Sequence, residues 1–224
     1  MDRTIPSATR RWAGAISLPL FFLAMIGASV SDPVEDETAA PAQQLHQAAA
    51  HLGRLHTALL FELLGAVLFV AATMAIVGAV RGRGSGIANA GAVLGVVGGI
   101  GLAMIGVSHV YLHALAASGT SDGVAILAAR DAASGPLPLL FFAAPFAIAV
   151  LCGAAVRAGL VRWPLLVVAG AFLLLEYVPS PLGEVPSLVC GLVAYAWIAV
   201  ALISAGRRAT AAAGASERPA VAVN

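Results

Sequence analysis

Apolar and polar positions follow one another along this chain in long blocks. Six apolar blocks, 12–30, 57–80, 87–107, 137–156, 163–178 and 186–205, are divided by short polar connections. A helix rises about 1.5 Å per residue, so roughly 18 to 20 apolar residues cross a hydrocarbon core of about 30 Å. The fifth block is the shortest, and the third stays apolar past its expected exit, to about Ala117. Inside lipid every backbone amide must find its partner within the protein, which leaves helices or closed barrels. Barrel strands alternate in polarity residue by residue, and these blocks do not. The pattern predicts an all-α fold, a six-helix transmembrane bundle.

The connections differ in sign. Arg3, Arg10 and Arg11 precede the first block, Arg81 and Arg83 follow the second, Arg157 and Arg162 follow the fourth, and Arg207, Arg208 and Arg218 lie in the tail. The other connections hold Asp32, Glu35, Asp36, Glu37, Asp122, Asp131 and Glu184, with only Arg54 and Arg130 as bases. Arginine-rich loops stay on the cytoplasmic side. The expectation is a multi-pass protein of the cell membrane with both termini cytoplasmic. Residues 1–11 form the inner N-terminus, 12–205 the spanning domain, and 206–224, without periodicity, a disordered tail. The first block resembles a signal peptide in its small residues Ala28, Ser29 and Ser31, but its length fits a retained anchor better.

One connection has structure of its own. After the acidic run SDPVEDETAAPAQ, apolar residues recur at Leu45, Ala48, Ala49, Leu52, Leu55 and Leu59, the spacing of a single helix face. This predicts one interfacial amphipathic helix, about 43–56, before the second span. In the third span Gly91, Gly95 and Gly99 form a GxxxG face that lets another helix approach closely.

Composition agrees: 60% of residues are hydrophobic, 10% are charged, and the mean hydropathy is +0.95. The net charge of +1 carries little meaning, because the charges are segregated between the two sides. All twelve basic residues are arginine, so Schiff-base chemistry through lysine is excluded. Cys152 and Cys190 fall at different depths and are expected to be inert small apolar residues rather than a disulfide.

The residues that could carry chemistry gather toward one side. His109 and His113 are an i, i+4 pair, a spacing that projects two imidazoles from one helix face and can chelate a zinc-like divalent metal. Their face continues as Gly106, Leu102, Gly99 and Gly95, so it should turn into the bundle. Glu62 and Glu176 are carboxylates inside spans, where an ionisable group is costly and marks a function or a specific partner. His56 lies on the apolar face of its helix and can reach the bundle, whereas His46 and His51 read as solvated. The candidate polar cluster is therefore His109, His113, Glu62, Glu176 and His56. No cofactor is expected beyond such a metal at His109 and His113. The HxxxH spacing resembles that of membrane zinc hydrolases of the ceramidase and progestin-receptor type, but their other ligand motifs are missing here. No Walker loop, Rossmann fingerprint, nucleophile elbow or nucleic-acid-binding patch is present.

Arg10-Arg11-Trp12-Ala13-Gly14, the polar loop after the first span, His51-Leu52-Gly53-Arg54-Leu55-His56 and the Arg81-Gly82-Arg83 turn together resemble a broad group of uncharacterised multi-pass membrane proteins of actinobacterial type, a domain of unknown function. The resemblance implies a compact helical membrane domain and no established activity. Two classes of function remain. One is a non-enzymatic accessory or small-ligand-binding module, partnered by the bilayer and by other membrane proteins. The alternative is a metal- or proton-dependent membrane enzyme or transporter that uses the His/Glu cluster.

Overall fold

The computed structural model describes residues 8–34, 39–134, 137–177 and 185–216. Eight α-helices follow in order: α1 (Ala8–Ser31), α2 (Pro41–Ala50), α3 (Leu52–Ala79), α4 (Ser85–Ser118), α5 (Gly123–Ser134), α6 (Ala143–Arg157), α7 (Pro164–Tyr177) and α8 (Val185–Ser216). A 3-10 turn, Leu137–Phe142, leads into α6. Pro145 explains that change of register, because it has no N–H to give the carbonyl of Phe141. Among the described residues there is no strand.

Among the described residues five segments are long and apolar enough to cross a membrane: Trp12–Ser31, Leu52–Ala79, Ser85–Ser118, Leu139–Arg157 and Val185–Arg207. The fifth apolar block forms α7, whose 14 residues extend about 21 Å, short of the hydrocarbon core. The helices are packed with large apolar side chains on their outer faces. Val67, Val93, Leu174 and Val200 are between 63% and 69% exposed. A bundle with that much aliphatic surface facing outward belongs in lipid, and the chain is a membrane protein.

The interior is aromatic on one side. Phe21, Phe22, Phe69, Phe172 and Tyr195 are all buried, and Phe22 meets both Phe172 and Tyr195 edge-on. On the other side α4 runs between α3 and α6, and glycines set its distance to each. A Cβ at Gly95 would lie 2.7 Å from Thr73 Cγ2, and one at Gly99 3.0 Å from Val70 Cγ2, both on α3. At Gly98 it would lie 2.6 Å from the Ala144 backbone of α6, and at Gly101 it would strike the backbone of Leu140 and Phe141. The GxxxG face therefore packs within the monomer, and a second glycine face, Gly98 and Gly101, does so more tightly. Cys152 and Cys190 are both free thiols, the first buried and the second partly so.

These contacts make α3 and α4 antiparallel, and they make the bundle uneven. Gly84, before α4, lies against Ala154 and Arg157 at the end of α6, so the Arg81–Arg83 turn and Arg157 share one end. From there α4 extends 34 residues, about 51 Å. About 20 Å of it overhangs a hydrocarbon core at the opposite, polar end, together with the start of α3. There α2 and α5 clasp the overhang around a small separate core of Val34, Ala48, Leu55, Leu112 and Leu127.

Three boundaries differ from the sequence reading. The amphipathic helix ends at Ala50. His51, at φ −137° and ψ 44°, breaks it, so residues 52–56 open α3 instead. Helix α5 was not expected; buried Leu127 anchors it under the cap. Helix α8 continues to Ser216 rather than ending near 205, which the high helix propensity of the alanine-rich 209–216 run accounts for. Residues 217–224, the acidic stretch 35–38 and Glu184 lie outside the described residues.

Candidate functional site

The polar end of the bundle is organised around His109. Gly106, almost one turn before it on the same face, carries no side chain, so α3 can come within reach. A Cβ at Gly106 would lie 2.9 Å from Leu63 Cδ2 and 3.6 Å from Glu62 Cβ. That proximity places His109 Nδ1 2.7 Å from Glu62 Oε2. Both residues are buried, His109 8% exposed and Glu62 7%. The face periodicity thus turned His109 inward as the sequence implied, and the intramembrane carboxylate met a histidine rather than lipid.

The other ring nitrogen faces a group that the sequence reading missed. Asp32 Oδ2 lies 3.5 Å from His109 Nε2. Asp32 follows the last residue of α1, which stops before Pro33 because a residue preceding proline resists helical geometry. Its other oxygen, Oδ1, accepts the Val34 N–H at 2.8 Å. Two arginines fix the surroundings. Arg54 at the start of α3 donates to the carbonyls of Val30 (3.2 Å) and Asp32 (3.3 Å), capping α1. Arg130 of α5 donates to the Ser108 carbonyl at 3.1 Å, beside His109. One imidazole therefore stands between two carboxylates, and its N–H groups in the doubly protonated ring point at both. The only sequence signal for Asp32 was its position, at the exit of the first span and at the depth of His109. Which helices are neighbours cannot be read from that.

Two other candidates meet one turn further along. The ring of His113 lies 5.5 Å, centre to centre and tilted by 54°, from that of His56 on α3. Glu176, near the end of α7, is hydrogen-bonded by Ser187 at the start of α8. His46 borders an open groove of about 290 Å³ between Ala42, Leu45 and Ala49 of α2 and Leu115 and Ala116 of α4. Among the described residues no group of three or more His, Cys, Asp and Glu side chains is arranged around one metal position. Asp32 and Glu62 stand on opposite sides of the ring, so they cannot share an ion with it.

No protein-family model, curated protein or solved structure matches this chain.

Proposed function

We propose that this chain is a six-span protein of the cell membrane, both termini in the cytoplasm, serving as a non-enzymatic accessory or small-ligand-binding module. One observation carries the reading: the buried ionisable groups at the polar end are spent on other side chains. His109 is held by Glu62 and Asp32, and Glu176 by Ser187. An enzyme holds its reactive groups toward an open cleft. Among the described residues an open feature is instead the mostly apolar α2–α4 groove, of a size for a small amphiphile. The arginine-rich end supports the cytoplasmic assignment of the termini. The residues that resemble the actinobacterial-type group support membership in it.

The proton-dependent alternative has one feature in its favour. Glu62, His109 and Asp32 form a row of titratable side chains leading from the spans to the polar end, the arrangement of a proton relay. Two experiments decide. In proteoliposomes loaded with a pH-sensitive dye, the module should dissipate an imposed pH gradient no faster than its His109→Ala variant. A His109-dependent flux sinks the module in favour of the relay. For orientation, single cysteines in a Cys152→Ala/Cys190→Ala background are labelled from outside intact cells. Ala40→Cys and Thr120→Cys should react, and Arg83→Cys should not. Labelling at position 83 alone would invert the topology.

A further inference from the structure

The overhang of α3 and α4 brings together two histidines that neither the polar row around His109 nor the groove uses. We propose that His56 and His113 form a two-imidazole site for a divalent transition metal ion of the zinc or copper class, at the water-facing end of the bundle.

The ring spacing matches that of two imidazoles on one ion. A zinc–imidazole bond is about 2.1 Å and the ring centre lies roughly 1.2 Å behind the nitrogen, so two imidazoles at a tetrahedral angle have centres about 5.3 Å apart. The rings of His56 and His113 are 5.5 Å apart and inclined at 54°, not stacked face to face. Among the described residues neither imidazole makes a hydrogen bond or an ion pair, so their nitrogens are unspent donors. The scaffold is rigid. The two side chains come from helices locked by Gly95, Gly99 and Gly106, and the Glu62–His109 bond pins those helices just below. Relative to that bond His56 is six residues and His113 four residues further toward the polar end, about 9 Å and 6 Å along their axes.

The site is also reachable. His56 is exposed and His113 half-buried, beyond the depth at which a span starting at the arginine turn leaves the hydrocarbon core. Imidazole suits zinc, copper and nickel, with copper(II) bound most tightly. Two protein ligands leave the other positions to water, so this is an open, exchangeable site rather than a closed structural one. The His109–His113 pair, although at chelating distance in sequence, is not competent, because both nitrogens of His109 face carboxylates.

The proposal goes beyond the module reading and stands on helix geometry alone. Proton flux tests one and metal binding the other. The test uses the full chain in detergent, titrated with zinc(II) against a chromophoric chelator. His56→Ala and His113→Ala should each weaken binding by more than about tenfold, since outer-shell losses alone cost that much. His46→Ala and His51→Ala should leave it unchanged. Acidification should release the ion, because only neutral imidazole ligates. Copper(II) bound to the wild-type chain should show electron-spin couplings from two imidazole nitrogens, a readout independent of how any variant folds. Zinc affinity indifferent to both substitutions, no binding to the wild type, or copper coupled to fewer than two imidazoles would each overturn the site.

Discussion

Gly101→Leu is expected to be the most damaging single substitution in the membrane-embedded part of the chain. Gly101 stands where α4 meets the 3-10 turn before α6, and even one methyl group there would overlap the backbone of Leu140 and Phe141. A side chain in the way can change rotamer; a backbone cannot move without displacing the whole of α6. The cost should exceed about 3 kcal/mol, the upper range for overpacking a filled interior. Gly99→Leu should cost less, about 1–3 kcal/mol, because the obstacle is a methyl of the Val70 side chain rather than backbone. Gly78→Ala makes the control. Nothing lies within 4 Å of its Cβ position, so the gain in helix propensity should leave stability unchanged or raised by about 0.5–1 kcal/mol. Thermal unfolding in detergent, read as loss of a monodisperse peak, should rank the three in that order. A Gly101→Leu protein that melts with the wild type would mean that α4 and α6 are not in contact at this level.

That ranking also marks how far the sequence reached. Block length and composition located all six apolar segments, because the cost of exposing backbone amides in lipid forces long helices wherever such blocks occur. The GxxxG face was visible for the same kind of reason, since three small residues at helical spacing have few other uses. Gly98 and Gly101 lie off that spacing, and their importance comes from α6, a partner that the sequence does not name. The polar end divided in the same way. Helix periodicity placed His109 inward, and depth alone put Glu62 near it. Periodicity says nothing about which helices are neighbours, so Asp32 on α1 was invisible as a partner. The sequence reading grouped His56 with His113 in one cluster, but only the packing of α3 on α4 sets their rings 5.5 Å apart. Helix α5 was hidden because its apolar run is too short to span and serves the small cap core instead.

Glu62→Ala should have the second large effect, for a reason that its double variant isolates. The Glu62–His109 bond of 2.7 Å is buried on both sides. Removing the carboxylate takes away the 2.7 Å contact of an imidazole that stays in the same dry position, with Asp32 3.5 Å away. Breaking a buried pair by deleting one partner costs about 3–5 kcal/mol, most of it the desolvation of the group left behind. The remaining contact to Asp32 puts Glu62→Ala toward the lower end of that range. His109→Leu should be costly as well, because it strands Glu62 among apolar neighbours of α4. The combined Glu62→Leu/His109→Leu chain should be more stable than either single variant, since no buried charge is left without a partner and Asp32 is near enough to the surface to be hydrated. Denaturant unfolding followed by the fluorescence of Trp12, Trp163 and Trp197 measures all three. A coupling energy of about 1–3 kcal/mol between the two positions is expected, whereas strictly additive losses would mean that the pair contributes nothing as a pair. High salt should leave the coupling intact, because a bond sealed between two helices is screened far less than one at the surface. A coupling that disappears in salt would place Glu62 and His109 in water, outside the helix interface that holds the polar end together.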